Sequence, residues 1–408
     1  MPDPDSERLS RAELADRAGV PQTEIDWMVS ASILEPADSS APFTDADVRK
    51  VRLAKACQNA GLPIDGIGAA ITSGRLSFAF LEAAPYRRWA ARSTRTYEET
   101  AREAGLPFDF LRQILEAFGF ADITPEERIR EDEAEIVPLL AFGYSSGVLD
   151  LDTTVRLARV FAASMNRMSR AENDVYHDRF EMPFIRRGLT QREAMETASQ
   201  MASEYNPLVD RLILAAYRRQ QELTWTDHLV THIEAALEES GVHDLPDRLP
   251  AMAFLDLAGY THLTEERGDL AAAELANALP GVVDRTARGH GGEPVKWLGD
   301  GIMFHFREPA GAVVASLEMV ERLPAHGFPP GHVGVAAGPV VEQGGDYFGR
   351  TVNLAARLSA RAGAGQVLVT SAVVERASEA PGVTFEELGE AELKGFEKPV
   401  RLFEARTR

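Results

Sequence analysis

Apolar positions recur at helical spacing through the first 240 residues, then gather into short continuous runs after residue 250. The first regime predicts helices. One runs from a Ser10 cap to a Gly19 stop, and a second covers Gln22 to Ser30. A third opens at Phe43 and continues to Ala60, and Gly61-Leu-Pro-Ile begins a fourth. Farther on, helices are expected over Thr153–Ser169, Thr190 to about Gln220, and Arg218–Ser240. The second regime predicts strands alternating with helices: a strand at Ala251–Leu257, a helix from Leu263 through Ala278 to His290, and a hairpin around Asp300. Then come a helix at Ala310–Arg322 and a strand at His332–Gly338 with a hairpin partner near Val340. A helix carrying Asn353, a strand at Gln366–Thr370, a short helix and a terminal pair at Thr384–Leu388 and Val400–Ala405 follow.

Length and charge narrow the setting. The 408 residues suit several domains, and the net charge of −20 argues against non-specific nucleic-acid binding or a polybasic membrane patch. One cysteine, Cys57, excludes an intramolecular disulfide framework. No stretch approaches the roughly 20 apolar residues of a membrane span, and the acidic start Met1-Pro-Asp-Pro-Asp is unlike a secretory signal. A cytoplasmic protein is expected.

The candidate chemistry lies in the second regime. Asp256 ends the apolar run from Met252, and Asp300 sits between Gly299 and Gly301 at the expected hairpin tip. Two carboxylates at the ends of adjacent strands suit Mg²⁺ or Mn²⁺, which take hard oxygen ligands. Asn353 and Arg357 are four residues apart on a helical pattern and share a face. There an Arg can clamp a phosphoryl group and an Asn can orient a sugar. Lys296 and Asp346 supply a donor and an acceptor able to read adenine at ring N1 and the exocyclic amine.

These motifs, Ala253-Phe-Leu-Asp256, Lys296-Trp-Leu-Gly-Asp300-Gly and Asp346-Tyr-Phe-Gly-Arg-Thr-Val-Asn353-Leu-Ala-Ala-Arg357, make the segment from about Pro250 to Arg408 resemble a class III nucleotide cyclase catalytic domain. The resemblance implies a ferredoxin-like α/β fold, conversion of ATP to cyclic AMP, and two divalent metal ions on Asp256 and Asp300. It assigns adenine selection to Lys296 and Asp346, and the transition state to Asn353 and Arg357. Lys394, in Glu392-Leu-Lys-Gly-Phe396, would meet the terminal phosphates, and Phe348 would lie beside the base. The family works as dimers with sites at the interface, so a homodimer is implied. A guanylate cyclase, usually with Glu and a small residue at the Lys296 and Asp346 positions, is the alternative enzyme. A transcription regulator with an idle cyclase-like domain is the alternative outside catalysis.

The first 80 residues resemble the winged helix-turn-helix of MerR-type regulators. Their expected recognition helix, Gln22–Ser30, holds two acids and no Arg or Lys, and residues 1–84 carry eight basic against thirteen acidic side chains. That balance argues against DNA binding, although Arg49, Lys50, Arg52 and Lys55 cluster locally. The expected organisation is a helix-turn-helix domain (1–84), an all-α regulatory domain with a linker helix (85–247) and the α/β catalytic domain (248–408). The middle segment repeats a helix-Gly-x-Pro pattern at Thr96–Pro107 and resembles the regulatory helices of pH-responsive bacterial cyclases. Met165, Met168, Met182, Met195 and Met201 suit core packing or a pocket for a lipid or other apolar effector. His228 and His232, four apart on the linker helix, are either plain surface residues or a candidate pH sensor. Gly241-Val-His-Asp-Leu-Pro246 is expected to form the joint into the catalytic domain.

Overall fold

The computed structural model describes residues 8–83, 86, 90, 92–120, 123–241 and 249–408. The expected joint after Gly241 falls at 242–248, outside the described residues. The chain divides into two compact units, Met1–Thr226 and Asp227–Arg408.

In the first unit, α1 (Arg11–Ala18), α2 (Gln22–Ser30), α3 (Asp45–Asn59) and α4 (Ile64–Thr72) enclose one apolar core. Ser10 and Glu13 form a capping box at the start of α1, and Gly19 closes it in the left-handed conformation at φ 73°. A bridge between Leu9 and Phe43 ties the loop between α2 and α3 to the chain start. A second core is built around β1 (Arg92–Thr96), α5 (Tyr97–Glu103), α6 (Phe108–Ala117) and β2 (Arg128–Arg130). The long helix α7 (Leu151–Tyr176) packs against it.

The two helices expected over 190–240 are one helix, α8 (Gln191–Glu239), with Pro207 inside it. Helix formers fill the sequence beyond Pro207, and no glycine interrupts it before Gly241. The unit boundary therefore falls within α8. Met165, Met168 and Met201 are exposed, so they do not form core within one chain. Met182 is half-buried, and Met195 packs against the helix-turn-helix core. No helix among the described residues is long and apolar enough to cross a membrane.

The second unit is a seven-stranded mixed sheet covered on both faces. Its elements are β3 (Ala251–Leu257), α9 (Tyr260–Arg267), α10 (Asp269–Gly289), β4 (Gly292–Leu298), β5 (Gly301–Phe306), α11 (Pro309–Ala325), β6 (Gly331–Ala337), β7 (Val341–Gln343), β8 (Asp346–Phe348), α12 (Arg350–Arg361), β9 (Val367–Thr370), α13 (Ser371–Ala377), β10 (Val383–Ala391) and β11 (Val400–Thr407). The strand order is β10-β11-β9-β6-β3-β5-β4. The antiparallel block β6-β3-β5-β4, with its two crossing helices, is the expected ferredoxin-like core. Successive β3 side chains alternate faces. Ala251, Ala253, Leu255 and Leu257 pack with α10 and α11, while Met252 packs with Leu354, Ala355 and Leu358 of α12. The same alternation sets Asp256 on the α12 side.

Two expectations change here. The helix from Leu263 to His290 is broken by Gly268, whose φ of 83° lies in the left-handed region. The segment near Val340 does not pair with the preceding strand; β7 forms a separate two-stranded ribbon with β8.

Candidate active site

Asp256 and Asp300 come together at one end of the central strands. The hairpin of β4 and β5 turns at Gly299-Asp300, with Gly299 at φ 75°. Gly301 follows, and a Cβ there would stand 3.1 Å from Asp256 Oδ1 and 3.2 Å from the Leu255 carbonyl. The missing side chain thus leaves the Asp256 carboxylate room beside the tip. Burial, together with the negative charge of Asp256, pushes the Asp300 carboxyl above the ordinary carboxylate range. His332, in cross-strand register with Asp256, brings Nε2 to 3.7 Å from Asp256 Oδ2, and its buried Nδ1 has no hydrogen-bond partner.

This arrangement fits a divalent cation. Two carboxylates repel each other, and among the described residues neither holds an Arg or Lys. No group of three or more His, Cys, Asp or Glu gathers into a cage among those residues. Magnesium in particular is held by one or two carboxylates with waters and substrate phosphates, rather than by an all-protein cage.

Lys296 and Asp346 meet on the edge of the sheet. Lys296 Nζ donates to Asp346 Oδ2 at 2.7 Å, and the Tyr347 amide donates to Asp346 Oδ1 at 2.9 Å. The contact is fixed from behind: the Tyr347 ring stacks on His305 at 4.5 Å between centroids, 13° from parallel. Burial pushes the Tyr347 hydroxyl up, and its hydrogen bond with His305 is matched by one to Glu293 at 3.4 Å. The His305 contact also lowers the Glu293 carboxyl. Phe348, two residues past Asp346, is half exposed.

Asn353, Arg357 and Lys394 line one cleft of about 740 Å³, together with Arg350, Phe396 and Lys398. Helix α12 is held tightly. A Cβ on Gly334 of β6 would stand 2.1 Å from the Ser359 nitrogen, so only glycine permits this approach. Thr351 Oγ1 donates to the Pro339 carbonyl at 2.9 Å, anchoring the first turn. Among the described residues, neither Asp256 nor Asp300 bonds to Lys296, Asn353, Arg357 or Lys394. The chain therefore assembles its expected site residues as three groups: the carboxylates, the Lys–Asp pair, and the cationic cleft.

Residues 249–404 match the adenylate and guanylate cyclase catalytic domain family, and residues 9–73 match the MerR HTH family of regulatory proteins. The chain carries a nucleotide cyclase catalytic domain behind a MerR-type helix-turn-helix. An adenylate cyclase of Streptomyces coelicolor is 29% identical over 279 residues, covering 68% of this chain and 70% of that protein. A pH-sensitive adenylate cyclase of Mycobacterium tuberculosis is 27% identical, covering 76% and 77%. An uncharacterized protein of the same organism is 26% identical over 386 residues, 93% of this chain and 94% of the other. Among solved structures, the adenylyl cyclase CyaB from P. aeruginosa covers 40% of this chain and 95% of its own, at 22% identity and a TM-score of 0.36.

The linker histidines of the cyclase unit are both exposed, with Nε2 atoms 3.0 Å apart. One residue earlier, Asp227 accepts a bond from Arg307 at 2.7 Å, joining this end of α8 to the residue after β5. In the helix-turn-helix, the basic cluster on α3 is engaged internally. Arg49 donates to the Leu81 carbonyl, Arg52 to the carbonyls of Ala90 and Arg17, Lys50 to Asp47, and Lys55 to Glu24. Asp26 of α2 is paired with Arg11 at 2.5 Å.

The sequence reading did not single out His332, Tyr347, His305 or Arg350. His332 and the His305–Tyr347 stack depend on strand register and long-range packing. For Arg350, the signal was its place one turn before Asn353 on the same helix.

Proposed function

We propose that the C-terminal domain is an adenylate cyclase, converting ATP to 3′,5′-cyclic AMP and pyrophosphate at sites shared between two copies of the chain. The observation that carries the reading is the Lys296–Asp346 contact at 2.7 Å. A cationic donor and an anionic acceptor held side by side match adenine's ring nitrogen and amine, and guanine offers the opposite pattern at those positions. The relatives that are named adenylate cyclases support the same substrate.

In this reading Lys296 and Asp346 orient the base, with Phe348 against its plane. Asn353 positions the ribose, so that the 3′-hydroxyl lies in line with the α-phosphorus. Arg357 meets the charge that builds on the α-phosphoryl oxygens as the new ester bond forms, and Lys394 holds the departing pyrophosphate. Two divalent ions on Asp256 and Asp300 would supply activation of the attacking oxygen and neutralisation of the phosphates.

We assign the remaining chain to regulation, divided at 1–84 and 85–247 before the catalytic domain at 248–408. The separate apolar cores around α1–α4 and around α5–α6 support the first division. The internal pairing of Arg49, Lys50, Arg52 and Lys55 counts against phosphate contact, so the helix-turn-helix serves protein contact in this reading. His228 and His232 are assigned to pH sensing, and the exposed methionines of α7 and α8 remain available to an apolar effector.

The test is direct. Purified full-length protein with Mn²⁺ and either ATP or GTP should give cyclic AMP as the dominant product. Cyclic GMP formed faster at equal nucleotide concentrations would replace this reading with a guanylate cyclase. Absence of either product with every divalent ion would favour an idle domain.

A further inference from the structure

The cleft holding Asn353, Arg357 and Lys394 is lined by two more cations, Arg350 and Lys398, that belong to none of the roles above. We propose that Arg350 and Lys398 bind the polyphosphate tail of the nucleotide and the pyrophosphate it releases. The inference rests on the cyclase reading and adds the residues that select a triphosphate.

Charge is the first argument. Arg350, Arg357, Lys394 and Lys398 face one cleft with a single carboxylate, Glu397. That is four positive charges against one negative, a local balance of +3 in a chain of net charge −20. Among the described residues none of the four forms an ion pair, whereas Arg307, Arg322, Arg401 and Arg406 of the same unit each hold a carboxylate. Grouped cations without partners repel each other, and a polyanion relieves that repulsion.

Geometry is the second. The Arg350 guanidinium lies over the Phe396 ring, its Cζ 5.1 Å from the centroid. Phe396 packs in turn against the apolar cluster under α12. A guanidinium held over a ring face is restrained before ligand arrives, and its forked N–H donors suit two phosphate oxygens. Position along α12 separates the two arginines. Seven residues of helix span about 10 Å, so Arg350 and Arg357 reach different phosphates. With Arg357 at the reacting phosphorus, Arg350 and Lys398 serve the far end of the tail.

The test uses full-length protein and the variants Arg350→Ala, Arg350→Lys, Lys398→Ala and Phe396→Leu. Calorimetry measures binding of inorganic tripolyphosphate and pyrophosphate, and kinetics measure KM and kcat for ATP with adenosine and pyrophosphate as inhibitors. Arg350→Ala should raise KM for ATP and the pyrophosphate inhibition constant together, by roughly tenfold, with kcat changed far less. Inhibition by adenosine, which has no phosphate, should stay at the wild-type level. Arg350→Lys keeps the charge without the fork and should be intermediate. Phe396→Leu should weaken tripolyphosphate binding in the same direction. Unchanged KM and pyrophosphate inhibition in Arg350→Ala, with wild-type melting, would overturn the proposal, and so would equal weakening of adenosine. If the wild type makes no cyclic AMP but binds tripolyphosphate in an Arg350-dependent way, the adenylate cyclase reading fails and this site stands.

Discussion

Lys296 Nζ and Asp346 Oδ2 meet at 2.7 Å although they lie fifty positions apart, on two strands that belong to different sheets. Each satisfies the other, so a base that reads both must offer an acceptor to the lysine and a donor to the aspartate. Adenine does. The Lys296→Glu, Asp346→Cys double variant should therefore lose its preference for ATP over GTP by roughly 10²-fold in kcat/KM, since a polar group left unpaired by the wrong base in the bound complex enforces such choices. Lys296→Glu alone sets two carboxylates against each other and should be less active than the double variant. Product ratios at equal nucleotide concentrations decide it, and an unchanged ratio in the double variant would remove the pair from base selection.

Asp300 carries a testable cost. Burial and the charge of Asp256 hold its carboxyl above the usual range, so between the unfolded-state and folded-state values the folded chain binds more proton than the unfolded chain. Stability from this group is then greatest in acid and falls as pH rises through the folded-state value. Asp300→Asn removes the cost. Without metal, in chelator at neutral pH, the variant should melt roughly 1–3 °C above wild type, while losing cyclase activity. Added Mn²⁺ should raise the wild-type melting temperature more than that of the variant. A variant that melts lower than wild type in chelator would show that Asp300 stabilises the hairpin tip instead.

Local features of this site were legible in the sequence, and long-range ones were not. The Gly299-Asp300 turn and the Asn353–Arg357 face follow from glycine placement and helical period, and both appear where expected. His332 could not be found that way: only the register of β6 on β3 sets it opposite Asp256. The break at Gly268 competes with helical periodicity on both sides, and left-handed glycine prevails. The segment after Gly338 was expected to fold back on its own strand. Gly344-Gly345, both at positive φ, instead turn it into the β7–β8 ribbon that sets Asp346 beside Lys296.

The linker histidines lend themselves to a pH test. A 3.0 Å contact between two Nε2 atoms needs one N–H and one bare nitrogen. The pair sits beside Asp227, which ties this part of α8 to Arg307. Replacing both His228 and His232 with Gln should flatten the dependence of activity on pH between about 5.5 and 8, with turnover at the upper end within about twofold of wild type. A superimposable pH profile would leave them as surface residues.

Sharing of the site between copies can be read from mixed dimers. Within one chain the carboxylates Asp256 and Asp300 make no bond to Lys296, Asn353, Arg357 or Lys394 among the described residues, as expected if the two groups serve different nucleotides. Each complete site would then take Asp256 and Asp300 from one copy and Lys296, Asp346, Asn353 and Arg357 from its partner, giving a two-fold dimer two equivalent sites. Asp256→Ala and Arg357→Ala should each be nearly inactive alone. In a mixed dimer one site carries both lesions and the other carries neither. Random pairing makes about half of the dimers mixed, so co-refolded protein should recover roughly a quarter of wild-type activity. Differently tagged chains, pulled down in sequence, isolate the mixed dimers and should raise recovery to about half. If those isolated dimers stay inactive, Asp256 and Arg357 act within the same chain, and the shared-site arrangement is wrong.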